Sequence, residues 1–170
     1  MRAFIKFEPA LYEKLLGHLL PPQDHREQAA FVFLKAQQSG DQLIFVPVET
    51  MCLSPQQFEQ QEGDYLELSD ETRAMLIKRA HDLGASILEM HSHPGPWPAG
   101  FSRADQMGLQ ETVPHMWWRL KSRPYLAIVV AKSGFDALLW LDGPKVPRNL
   151  DGLMVGTELL QPTNLSFGGW

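Results

Sequence analysis

Residues 29–36 (AAFVFLKA) form an apolar run of strand length, broken only by Lys35. Such a run needs other elements packed on it, so the question is what the rest of the chain supplies. Residues 1–7 read as a short strand, Ala3, Ile5 and Phe7 alternating with Arg2, Phe4 and Lys6. Pro9 sits where the first turn of a helix tolerates it. Leu11, Leu15, Leu16, Leu19 and Leu20 follow at helical spacing until Pro21-Pro22 stops the pattern. Ser39-Gly40-Asp41 turns the 29–36 strand into a second one over 42–48, a hairpin.

Residues 54–67 are polar and rich in Gln and Glu, and read as a loop with a helical turn over 55–61. Ser69 offers an N-cap, with Thr72 at the capping-box position. Met75, Leu76, Arg79, Ala80 and Leu83 then carry a helix to Gly84, a C′ glycine. Residues 85–93 form the next strand, which ends at Pro94, and PGPWPAGF is a proline-stiffened loop. Ser102 opens another helix, which Pro114 should end or kink. Residues 125–131 and 135–141 form a second hairpin around Lys132-Ser133-Gly134, and one last strand lies near 153–160. The tail, residues 161–170, is expected to be loose. This order predicts an α+β fold: one domain over residues 1–160, with a single mixed, curved sheet flanked by helices.

Composition narrows the function classes. With 170 residues and 44% apolar side chains, one core buries roughly 70% of the unfolded surface without disulfide staples. Fifteen Lys and Arg against 20 Asp and Glu give a net charge of −5. That argues against nucleic acid as a partner, because phosphate binding relies on clustered positive charge. No apolar stretch is long enough to cross a membrane. The single cysteine, Cys52, and the charge-mixed opening MRAFIKFEPALYEK make a reducing, cytoplasmic setting the expectation.

The chemistry concentrates in His91-Ser92-His93-Pro94, followed by Ser102 and Asp105. Strand residues i and i+2 share a face, so His91 and His93 aim two imidazoles at one point. Ser102 caps the helix after the loop, which puts Asp105 in its first turn. Two His and one Asp suit zinc and leave a fourth tetrahedral position open, the mark of a catalytic site. Taken alone, Ser102-x-x-Asp105 is a capping box. One cysteine excludes thiolate-rich structural zinc and the paired-cysteine deaminase signature, and no HExxH pair is present.

HSHPGPWPAGFSRAD resembles the signature of the JAMM metalloproteases, the JAB/MPN domain family: HxHP, a short loop, then SxxD, with a glutamate upstream. The resemblance implies a JAB/MPN fold with cytidine-deaminase-like layering. It makes His91, His93 and Asp105 zinc ligands and gives Ser102 a part in holding the oxyanion. Glu27-Gln28-Ala29-Ala30-Phe31-Val32-Phe33 matches the family's Glu-strand pattern, which makes Glu27 the general base. The loop from His93 to Ser102 is one residue longer than in the common eukaryotic pattern and points to the prokaryotic, deubiquitinase-like branch. The activity implied is a zinc-dependent isopeptidase or peptidase that cuts after the Gly-Gly-like tail of a ubiquitin-like protein. Associated activating and conjugating (E1/E2-like) proteins are further implied partners.

Two alternatives stay open: a zinc hydrolase of a small amide or sulfur-carrier adduct, and a non-catalytic MPN scaffold. Glu89, on the face of His91 and His93, is a rival base or a partner that orients an imidazole. Trp97 either packs the loop or contacts substrate in the groove. Ser92 points away from the metal and hydrogen-bonds locally. The closing Phe167-Gly168-Gly169-Trp170 looks like a tail with one residue to trim, though short Gly-Gly sequences are common by chance.

Overall fold

The computed structural model of the protein describes residues 1–166 and 170; the Gly-Gly of the closing segment lies outside the described residues. Strand β1 (Arg2–Phe7) leads into helix α1 (Pro9–Leu19), and β2 (Ala29–Ser39) and β3 (Gln42–Cys52) form a long hairpin. A 3-10 turn at Pro55–Gln57 is followed by β4 (Phe58–Gln61), β5 (Leu66–Leu68), α2 (Asp70–Leu83) and β6 (Ser86–Ser92). Then come α3 (Arg103–Arg119), β7 (Tyr125–Ala131), β8 (Gly134–Trp140), β9 (Arg148–Asn149), β10 (Gly152–Val155) and β11 (Glu158–Leu160). Nine strands make one curled mixed sheet in the order β11-β10-β1-β3-β2-β6-β7-β8-β9, and β4 and β5 pair separately. Pairing is parallel at β1–β10, β1–β3 and β6–β7.

The sheet has two dry faces, which explains why its central strands read as apolar runs rather than alternations. Ala30, Val32, Leu34, Leu88, Met90 and Ile128 pack with Leu15 and Leu19 of α1 on one face. Ala29, Phe31, Phe33, Ile87, Ala127 and Val129 pack on the other with Leu76 and Ala80 of α2 and Leu109, Val113 and Met116 of α3. The result is an α+β sandwich with one helix on one side and two on the other. Among the described residues, no helix is long and apolar enough to cross a membrane.

Several expectations need correction. Residues 54–67 are not a plain loop: only Pro55–Gln57 is helical, and a β4–β5 hairpin follows. Its strands are short and polar, with Phe58 the one buried anchor in β4, so no alternation announces them. Helix α3 runs through Pro114 to Arg119. Proline forfeits one N–H bond and costs about 3 kcal/mol inside a helix; burial of Val113 and Met116 on either side of it offsets that, at roughly 1.5–3 kcal/mol per side chain. The single strand expected at 153–160 is two strands reversing at Gly156, whose φ is +60°. The 29–48 hairpin extends to Ser39 and Cys52. Pairing skips Val48 between Phe33↔Glu49 and Leu34↔Pro47, a bulge that accommodates a proline without an N–H. The tail is not loose as far as Ser166, which is buried and hydrogen-bonded, and Trp170 packs edge-on against Trp140.

Gly152 has φ +154°, and a Cβ there would stand 2.8 Å from the Leu160 carbonyl oxygen. Gly152→Ala is therefore expected to destabilise the protein by about 1–3 kcal/mol. Gly17→Ala, on the open side of α1 with nothing within 4 Å, should stabilise it by about 0.5–1 kcal/mol. Urea unfolding of both variants checks the pair; equal effects would contradict the assigned backbone.

Candidate metal centre

The register of β2 against β6 builds the centre. Ala29 stands opposite His91, so the residues just before β2 lie alongside the end of β6. Ser92 points to the opposite face from the two histidines. Its N–H donates to the Gln28 carbonyl at 3.1 Å, and its hydroxyl accepts from Gln28 N at 3.0 Å. This double tether, longer in range than the local bond expected of Ser92, seats Glu27 beside the imidazoles. The β4–β5 hairpin adds two more bonds to Glu27: its N–H donates to the Glu62 carbonyl at 2.7 Å, and Gln61 Nε2 donates to its carbonyl at 2.8 Å.

His91, His93 and Asp105 converge. His91 Nε2 lies 3.3 Å from His93 Nε2 and 3.3 Å from Asp105 Oδ1, and His93 Nε2 lies 3.2 Å from Asp105 Oδ2. Ligands about 2.0–2.1 Å from one tetrahedral ion stand about 3.3 Å from each other. The two imidazole nitrogens stand at that spacing and the Asp105 carboxylate turns one oxygen to each of them, so this residue set can hold a metal ion.

The helix cap aims the third ligand. Ser102 N donates to Asp105 Oδ2 at 2.6 Å and Asp105 N donates to Ser102 Oγ at 3.1 Å, a complete capping box. Capping and ligation are thus not rival explanations of Ser102-x-x-Asp105. The cap occupies Oδ2 and leaves Oδ1 towards His91. Ser102 Oγ accepts the Asp105 amide and keeps its own hydrogen free to donate.

Electrostatics follow from burial. Glu27 is 4% exposed rather than a solvated strand-start carboxylate, and its Oε1 lies 3.4 Å from His93 Nε2. Burial pushes its pKa up to about 6, against the opposing pull of His91 and His93. Burial also works against the charge on Asp105, but hydrogen bonds from His91, His93 and Ser102 hold its carboxyl well below the ordinary range. His91 is raised despite burial, because Asp105, Glu27 and Glu89 surround it with negative charge.

Glu89 has a different partner from Glu27. Its carboxylate accepts from the Tyr125 hydroxyl, and burial raises its pKa. It lies on the floor of a groove of about 1180 Å³ that runs from the metal centre between α2 and α3. Arg73, Ile77, Met107 and residues 64–68 of the β4–β5 hairpin form its walls and rim. Trp97 is 75% exposed and is not among the residues lining the groove. Sequence reading missed Tyr125, Gln61 and the long-range part of Ser92; only Ser92 left a trace, as the residue between two ligands that must face the other way.

No family model matches the chain, and no curated protein matches it in sequence.

Metal-free protein titrated with a divalent transition metal is expected to bind one equivalent, and the His91→Ala/His93→Ala variant none. Equilibrium dialysis checks this. A wild-type chain that takes up no metal would remove the centre. Ser92→Ala should still bind one equivalent, because its hydroxyl holds Gln28 N rather than any of the three donor side chains.

Proposed function

We propose that the protein is a zinc-dependent isopeptidase or peptidase of the JAMM type, with a JAB/MPN domain, acting on the small-residue tail of a ubiquitin-like protein. The observation that carries this reading is the convergence of His91, His93 and Asp105, with donor atoms within 4.8 Å of one another and the buried Glu27 carboxylate 3.4 Å from His93. Two imidazoles and one carboxylate suit zinc and leave a position open for reaction. The zinc ion supplies Lewis acidity, polarising a carbonyl and acidifying water to a pKa of about 7.

The chain's own residues do the rest. Glu27 takes a proton from the attacking water and returns it to the leaving amine, a transfer that needs a carboxylate within hydrogen-bond reach of both. Ser102 Oγ–H donates to the oxyanion as it forms. The β4–β5 hairpin supports an extended substrate. Residues of β5 line the groove, and among the described residues β5 pairs with β4 alone, so one edge is open to an added strand. A tail lying on that edge meets the metal centre with its last residues flat against β2 and β6. Glycine fits there because the backbone can approach closely.

Glu27→Gln should keep fold and zinc but lose turnover by several orders of magnitude, whereas Ser102→Ala should lose about 10²–10³-fold. A dead Glu89→Gln beside an active Glu27→Gln would move the base to β6. The substrate class is tested with ubiquitin-like fusions ending in Gly-Gly. Cleavage directly after the tail is expected, and Leu in place of the final Gly should remove most of kcat/KM. Tolerance of Leu, or preference for small amides over every fusion, would replace this reading with small-amide or sulfur-carrier hydrolysis. Zinc binding without any cleavage would make the protein a scaffold.

A further inference from the structure

The buried carboxylate of Asp136 has no part in the chemistry above, yet it stands in the same row of the sheet as the metal centre. Ala29 is opposite His91, His91 opposite Val129, and Val129 opposite Asp136. Directly opposed residues share a face, so Asp136 lies two strands from His91 on the side that carries α2 and α3. It is 1% exposed, on the same face as the apolar Val129 and Leu138. A carboxylate there is tolerated only if its oxygens are satisfied, and they are, largely by the C-terminal segment. Oδ1 accepts from Ala137 N at 3.0 Å and Asn164 N at 3.0 Å. Oδ2 accepts from Ser166 N at 2.9 Å and Ser166 Oγ at 2.6 Å.

The segment held in this way grips the loop between the metal ligands. Ser166 Oγ, while donating to Asp136, accepts from Phe101 N at 2.6 Å. Thr163 Oγ1 donates to the Ala99 carbonyl at 2.7 Å, and Thr163 N pairs with the Phe135 carbonyl at 2.9 Å. Gly100 lies directly beneath: a Cβ there would meet Leu165 Cβ at 3.5 Å and Ser166 Oγ at 3.6 Å. Phe101 has two neighbours that matter. Its ring packs edge-on against His91, with centroids 5.8 Å apart, and the next residue is Ser102, whose cap aims Asp105.

We propose that residues 163–166 form a strap, anchored on Asp136, that positions the loop ending at Ser102, and with it Asp105 in the first turn of α3, over His91 and His93. Asp136, Ser166 and Thr163 are positioning residues. The polypeptide between His93 and Ser102 has few internal bonds to fix its end. The strap supplies that constraint from β8, so Asp105 is placed by a segment that lies 64 and 65 residues in sequence from the loop residues it holds. The proposal uses the metal centre directly and the isopeptidase reading only for one of its measurements.

The test compares Ser166→Ala and Thr163→Ala with Trp170→Ala in the full chain. Trp170 loosens the same tail at its other anchor, Trp140, at the far end of β8 from Asp136. Three quantities are measured well below the unfolding temperature: affinity for Zn2+, the visible spectrum of the Co2+-loaded protein, and kcat against KM on a Gly-Gly fusion. Ser166→Ala is expected to weaken Zn2+ binding about 10–100-fold, shift the Co2+ bands and lower kcat with KM unchanged. Ser166→Thr, which keeps the hydroxyl, should recover part of each. Trp170→Ala should lower Tm and leave the Co2+ spectrum as in wild type. If Ser166→Ala does not fold, Thr163→Ala carries the test, because it removes only the hydroxyl that holds Ala99 and leaves Asp136 satisfied. Wild-type Zn2+ affinity and Co2+ spectrum in both variants, with only Tm reduced, would overturn the proposal. Altered metal binding in a chain that cleaves no fusion would leave the strap standing and remove the isopeptidase reading.

Discussion

The antiparallel ladder between β2 and β6 is the interaction on which the centre depends. It sets Ala29 against His91, and the Ser92–Gln28 pair extends it past the last strand residue. A slip of one residue would turn His91 and His93 into the face packed on α1 and send Ser92 to the metal side. The two dry faces prevent that slip. Phe31 and Phe33 are matched to α2 and α3, and Val32 and Leu34 to α1. Hydrophobic burial thus fixes the register, and the register fixes the chemistry.

The remaining ligand comes from a different principle. Asp105 is placed by a helix N-terminus, where a carboxylate is favoured by the helix dipole and by the capping amide of Ser102. The same hydrogen bond that starts α3 restricts the rotation of the carboxylate. One residue therefore serves helix stability and the geometry of the candidate metal centre, and a change at Ser102 should be felt in both. Burial of Glu27 beside this cluster brings three carboxyl groups (Glu27, Asp105 and Glu89) around His91. That charge balance is suited to a divalent cation and is poorly served by the imidazoles alone.

Local features were legible in the sequence and non-local ones were not. HxHP and SxxD could be read because two-residue and three-residue spacings have fixed meaning on a strand and on a helix turn. The α+β order was legible from apolar periodicity. Glu27 came from a family pattern, since nothing in periodicity marks a residue two places before a strand. The β4–β5 hairpin was missed because FEQQ and LEL carry too little apolar contrast. Helix α3 was expected to end or kink near Pro114 because tertiary burial of its flanking residues cannot be weighed from sequence. The Asp136–Ser166 strap joins residues 30 apart in the chain through a buried polar network, and such pairings leave no spacing signal.

The central claim is that two imidazoles and one carboxylate hold the same ion. X-ray absorption at the metal edge of the zinc-loaded chain tests it most directly. The expected spectrum has a first shell of nitrogen and oxygen alone at about 2.0–2.1 Å, with the outer-shell scattering of two imidazoles, falling to one in His91→Ala. A sulfur scatterer near ~2.3 Å, or a spectrum unchanged by loss of His91, would contradict it.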